Sequence, residues 1–140
     1  MRFELIDQVV ERESDRLVAI KNVTAAEEYL ADHFPGFAVL PGVLMLEALV
    51  QAGRLLLADR GVADRPLVLA EVRNVRYGQM VRPGQHLKVE VTLRGGGSAE
   101  QGYDLTGVGS VDEQVAVQGR FRLAPLARSG GNELEKQHNG

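Results

Sequence analysis

From Val43 to Ala58 the chain reads VLMLEALVQAGRLLLA, and across its first eight positions every helical face is apolar except at Glu47. A helix apolar all round is stable only when surrounded on all sides. Pro41, Glu47, Gln51 and Arg54 interrupt the stretch well short of the roughly 18 to 20 clean residues that a membrane span needs, so it is expected to be a buried helix with no membrane insertion. Pro41 falls at its first turn, where helices accept proline, and Gly42 follows. Around it the pattern changes period.

The rest is strand text. Arg16 to Val23 (RLVAIKNV) is rich in β-branched residues, and four later runs resemble it: Leu67 to Tyr77, His86 to Arg94, Gln101 to Val111 and Gln114 to Leu123. Arg82-Pro83-Gly84, Arg94-Gly95-Gly96-Gly97-Ser98 and Val111-Asp112-Glu113 separate them with turn chemistry, and such short connections make antiparallel neighbours. Leu87, Val89, Val91 and Leu93 alternate with Lys88, Glu90, Thr92 and Arg94, so this strand is expected to bury one face and wet the other. The expected class is α+β, an antiparallel sheet wrapped around one long helix, in a single domain over residues 1–126. Phe3, Ile6, Val9 and Val10 stand close to helical spacing, which predicts a short helix or turn packed against the sheet. Ala127 to Gly140 is polar and without periodicity, and is expected to be a disordered tail.

Composition removes several function classes. The chain has no cysteine, which excludes thiolate catalysis, zinc ribbons and thiol-ligated iron–sulfur clusters. Sixteen basic residues against nineteen acidic ones, with only seven aromatics, leave no electrostatic or stacking footprint for nucleic acid. Neither His86 nor His138 has a carboxylate at ligand spacing, so no metal is expected. The opening Met-Arg-Phe-Glu-Leu-Ile-Asp is charged at once, so no signal peptide is expected and the cytoplasm is the expected location.

Three features around the helix point to chemistry. Glu47 is a carboxyl in an apolar surrounding, with Gln51 one turn further on the same side. Its desolvation would keep such a group protonated and available for acid–base work. The bland alternative is a polar stripe of Glu47 and Gln51 at a subunit or solvent edge. Upstream lies DHFPGFAVLPG, residues 32–42, where two Pro-Gly pairs bracket an apolar segment and His33 precedes the first. The amides of Gly42 and Val43 would point out of the helix N-terminus, ready for an oxygen acquiring negative charge. A lone loop histidine is more often structural, and Pro-Gly pairs are usually turns. Together with Glu47 they supply what is needed to take a proton beside a carbonyl, hold the resulting oxyanion and protonate a leaving hydroxyl.

The run DHFPGFAVLPGVLMLEALVQ, residues 32–51, resembles the signature of the (3R)-hydroxyacyl-acyl-carrier-protein dehydratases of type II fatty acid synthesis, a hotdog-fold family. The likeness extends through Ala19 to Thr24 (AIKNVT), the Val81-Arg82-Pro83-Gly84 turn and the Val111-Asp112 hairpin, covering about residues 3 to 124. It implies that His33 is the catalytic base and Glu47 the catalytic acid. It further implies that the Gly42 amide polarises the thioester carbonyl, that Gln51 supports the carboxyl, and that Phe34, Phe37, Val39 and Val50 line the acyl tunnel. The sister group that also isomerises carries Asp where this chain has Glu47. The sequence departs from the family pattern at Ala38, Val50 and Gln85.

The same resemblance implies a homodimer that pairs edge to edge into one continuous sheet, with His33 of one protomer facing Glu47 of the other, and a trimer of such dimers as the common assembly. Substrate would arrive on the phosphopantetheine of an acyl carrier protein, with no other cofactor. Arg73, Arg76, Arg82, Lys88, Arg120 and Arg122 are candidates for a basic rim facing that acidic partner. The alternatives are a thioesterase or enoyl-CoA hydratase on the same fold, or a non-catalytic acyl-binding protein.

Overall fold

The computed structural model describes residues 5–23, 40–61, 66–95, 97–98 and 100–125. Within them the chain runs β1 (Gln8–Arg12), β2 (Arg16–Asn22), α1 (Gly42–Arg60), β3 (Leu67–Tyr77), β4 (His86–Leu93), β5 (Tyr103–Val111) and β6 (Gln114–Pro125). The strands form one antiparallel sheet in the order β1-β2-β4-β5-β6-β3, so β1 and β3 are its edges. Strands β2 through β6 all contact α1, which makes this the expected helix enclosed by a sheet. The predicted tail from Ala127 lies outside the described residues.

The core follows from period-two patterning. Leu87, Val89 and Val91 of β4 are fully buried, while Lys88 is exposed and Glu90 and Thr92 half-buried, as the alternation requires. In β5 the inward positions are Tyr103, Leu105, Gly107, Gly109 and Val111. Two glycines on a strand's inner face weaken it unless something presses close, and here the helix does. A methyl placed on Gly107 would lie 3.1 Å from Leu49 Cδ1, and one on Gly53 would lie 3.0 Å from Phe121 Cε2. Glycine on both surfaces lets α1 seat deeply on β5 and β6.

The ends of α1 are set locally. Pro41 is the N-cap, with extended backbone (φ −61°, ψ 143°), and its carbonyl accepts from Leu44 N and Met45 N. Gly61 ends the helix in the left-handed region at φ 66°, where its N–H donates to the Ala58 carbonyl. Between β5 and β6, Asp112 and Glu113 both hold positive φ (49° and 67°), the two-residue turn that suits a hairpin's twist.

The N-terminal segment differs from expectation. Residues 8–12 form an edge strand paired antiparallel to β2, not a helix or turn. The register shifts between Val9 and Glu11, a bulge that inserts a residue and breaks the strand's period of two. Apolar residues at positions 6, 9 and 10 therefore imitate helical spacing, while the unpaired edge of β2 supplies the hydrogen bonds that decide the outcome.

Arg16 ties this hairpin to the sheet. Its Nε donates to Glu90 Oε2 at 2.7 Å, and its Nη1 meets Glu11 and Glu13. The hydrogen bond from Arg16 holds the Glu90 carboxyl below its ordinary value of 4.5. A carboxyl depressed in the folded state contributes stability above its unfolded value, and loses it as the pH falls through the folded one.

Two outcomes are expected. Gly107→Val should lower stability by about 1–3 kcal/mol through overpacking against Leu49, read from urea denaturation midpoints. Glu90→Gln should make stability less sensitive to acid than in the wild type between neutral pH and about pH 3; identical pH profiles would remove the Arg16 contact as a source of stability.

Candidate active site

Of the candidate residues, His33, Phe34, Phe37 and Val39 lie outside the described residues, as does Ala38. Gly42, Glu47, Val50 and Gln51 are all on α1. Val50 is fully buried in the core, and the other three lie on or beside a face the sheet leaves uncovered.

That face runs Val43, Glu47, Gln51, Arg54 and Ala58, positions that helical geometry stacks along one side. Val43 is 69% exposed, and the side chains of Glu47 and Arg54 are 40% and 39% exposed. Glu47 is therefore not enclosed on all sides by the chain, although the apolar text around it suggested that it would be. The reason is geometric: strands β2 to β6 close around most of the helix, and the opening left between residues 5–9 and edge strand β3 falls on this stripe.

Side chains bridge the opening from both flanks. Leu5 N donates to Gln51 Oε1 at 2.8 Å, and Gln51 Nε2 approaches Glu47 Oε2 at 3.3 Å. The family resemblance gave Gln51 a supporting role, and here it touches the carboxyl. On the other flank, Arg54 Nε donates to the carbonyl of Leu67 at 2.9 Å, and Arg54 Nη1 lies 3.6 Å from Glu47 Oε2. Sequence reasoning treated Arg54 only as a break in apolar text. Its spacing, seven residues after Glu47 and three after Gln51, was the available signal.

Along this stripe lies a groove of about 520 Å³, lined by Ile6, Asp7, Gln8, Val9, Gln51, Arg54, Leu55 and Ala58. Neither Glu47 nor the helix N-terminus at Gly42 is part of this lining. Among the described residues no acceptor meets the N–H groups of Gly42 and Val43, which leaves them available to an oxyanion. Gly42 packs under Tyr77, the last residue of β3, and a methyl there would lie 2.8 Å from Tyr77 Cε1. Nothing in the sequence pattern marked Tyr77 as a neighbour of this terminus.

Farther off, Gln85 takes over the turn that holds it. Its Oε1 accepts from Arg82 N at 2.8 Å and its Nε2 reaches Asp112 Oδ2 at 3.2 Å, so this departure keeps the turn closed. Of the basic candidates, Arg73 is paired with Glu71 and Arg122 with Asp104. Arg76 and Arg120 are exposed, with no carboxylate partner among the described residues. His86 Nδ1 bonds Asn22 Oδ1, and among the described residues no group of three His, Cys, Asp or Glu is placed to hold a metal ion.

Comparison with known proteins adds to this geometry. The family profile described as a FabA-like domain matches residues 1–120. The chain is 44% identical over 132 residues to the 3-hydroxyacyl-[acyl-carrier-protein] dehydratase FabZ of Pseudothermotoga lettingae, covering 94% of this chain and 88% of that protein. It is 39% identical over 127 residues to the FabZ of Thermomicrobium roseum, covering 89% and 83%. Among solved structures, the dehydratase heterocomplex ApeI:P from Xenorhabdus doucetiae superimposes with a TM-score of 0.65 at 17% identity, covering 87% of this chain and 98% of that one. A hypothetical thioesterase from Streptococcus pneumoniae bound to coenzyme A gives 0.64 at 11% identity, covering 83% and 82%. At these identities the structural likeness is one of fold, the hotdog arrangement of a sheet around a helix.

The packing at Gly42 is open to test. Gly42→Ala should leave the protein folded, because the half-exposed Tyr77 ring can swing aside, and should shift the Tyr77 ring resonances in NMR spectra while those of Tyr103 stay in place. Unmoved Tyr77 resonances would show that the ring does not lie over the helix N-terminus.

Proposed function

The chain belongs to the FabA-like family, and from that membership and the site on α1 we propose how it works as a 3-hydroxyacyl-[acyl-carrier-protein] dehydratase of fatty acid synthesis. The reaction removes water from a (3R)-3-hydroxyacyl thioester to leave the trans-2-enoyl thioester. The observation that carries the reading is a carboxyl, Glu47, approached by Gln51 on the same helix whose N-terminal amides, those of Gly42 and Val43, meet no acceptor among the described residues.

In the proposed cycle the neutral His33 imidazole takes a proton from C2, and the negative charge that develops on the thioester oxygen is held by the Gly42 N–H. Protonated Glu47 gives its proton to the C3 hydroxyl as the C3–O bond breaks, and water departs. The enzyme is left with a protonated His33 and an ionised Glu47, and a proton passed from one to the other restores it. No metal or organic cofactor enters. Phe34, Phe37, Val39 and Val50 are the proposed lining of the acyl tunnel.

His33 and Glu47 are proposed to meet across a homodimer, the protomers pairing through β3. Two observations support this. Strand β3 is an edge of 11 residues, with Leu69 37% and Tyr77 52% exposed along it, and long edges with apolar side chains invite pairing. The opening over Glu47 lies beside that edge, so a second protomer there would cover the stripe. A trimer of such dimers is the proposed larger assembly. The acyl carrier protein, an acidic partner, is proposed to approach the outer sheet face where Arg76 and Arg120 are exposed and form no ion pair among the described residues. No described helix is long and apolar enough to cross a membrane, and the proposed setting is the cytoplasm, as a single domain over residues 1–126.

The test is turnover of 3-hydroxyacyl or crotonyl thioesters, followed by the ultraviolet absorbance of the conjugated enoyl group. His33→Ala and Glu47→Gln should each lower kcat at least about a hundredfold while light scattering still reports the wild-type assembly. Near-wild-type turnover in either variant removes that residue from the mechanism, and release of free thiol without any enoyl signal would make the protein a thioesterase.

A further inference from the structure

Arg54 is the one cation in contact with Glu47 among the described residues, and it is itself held in place. Its Nε is spent on the Leu67 carbonyl at 2.9 Å, at the start of β3, and this directs Nη1 to a point 3.6 Å from Glu47 Oε2. Gln51, fixed from the opposite flank by Leu5 N, sends its amide to the same oxygen at 3.3 Å. An amide tied to Leu5, ahead of β1, and a guanidinium tied to the start of β3 thus converge on Oε2. Glu47 Oε1 has no partner among the described residues.

We propose that Arg54 is a positioning residue for the catalytic acid: with Gln51 it braces Glu47 Oε2, so that the transferable proton resides on Oε1, the oxygen left without a partner among the described residues. The proposal rests on the dehydratase reading of the site and deepens it. The physical reason is that an oxygen approached by a guanidinium and an amide N–H is the poorer place for a proton, so the proton of the neutral carboxyl goes to the unengaged oxygen. Bracing also removes rotamers. A free glutamate samples several side-chain wells, and one held from both flanks keeps a single carboxyl position through turnover. As a contribution to folding the contact counts for little, since both partners are more than a third exposed and solvent screens them. Its consequence is therefore expected in the reaction and not in stability.

The experiment compares wild type, Arg54→Met, Glu47→Gln and the double variant. Arg54→Met should lower kcat about tenfold or more, the scale of a catalytic group misplaced by less than its own width, with KM within about twofold. In the Glu47→Gln background the same substitution should have no further effect on the residual rate, because the braced acid is gone. An unchanged kcat in Arg54→Met, or an equal loss with and without Glu47, overturns the proposal. If the wild type turns over no thioester at all, the dehydratase reading fails, and the crystal structure of Arg54→Met then decides the positioning claim. A Glu47 carboxyl that leaves Gln51 supports it, and one that stays in place overturns it.

Discussion

The depth at which α1 sits on the sheet governs the rest of the molecule. Gly53 on the helix and Gly107 on β5 remove the side chains that would hold the two surfaces apart, and Leu49 and Phe121 fill the space instead. With the helix that close, five strands reach around it, and Met45, Ala48, Leu49, Ala52, Leu56 and Leu57 lose almost all contact with water. Burial of that apolar area is the main term favouring the fold. It also fixes the rotation of the helix, because only one orientation places both the glycine and the large residues against the sheet.

Fixing the rotation fixes what is left over. A six-stranded sheet cannot close on itself around a helix that it grips this tightly, and the gap between its edges must fall along one stripe. On that stripe stand Glu47, Gln51 and Arg54; Gln51 and Arg54 reach backbone partners off the helix, at Leu5 and Leu67, and both approach Glu47. A carboxyl placed there avoids the full desolvation cost it would meet at a core position one residue away, such as Ala48. It keeps apolar neighbours on both sides all the same. The same helix presents the amides of its N-terminus at the end of the stripe, so the proposed acid and the proposed oxyanion donors share one element and their separation is rigid.

Much of this was legible in the residues. Alternation in β4 and the turn text on either side of it gave the strand and its buried face, and β3 and the start of β6 fall where their composition placed them. The N-terminal strand was misread because a bulge at Val9 to Glu11 produced apolar spacing that belongs to helices. Arg54 was overlooked for a different reason. Its position relative to Glu47 and Gln51 is visible in the spacing, but its tether to Leu67 joins residues 13 apart through the return of the chain into β3, which no local pattern reveals. Tyr77 over Gly42 is likewise a contact between distant segments.

What the sequence by itself determined is the set of parts: one apolar helix, strands with one wet face, a carboxyl and an amide one turn apart, and a proline and glycine that start the helix. Those follow from local rules, the period of side chains and the conformational limits of proline and glycine, which act over a few residues. Only the tertiary structure decided which side of the helix stays open, and hence that Glu47 stands half-exposed, approached by Gln51 and Arg54, whose own partners are Leu5 and Leu67. That depends on the fit of the helix against a surface assembled from five strands, and such a fit belongs to no single segment.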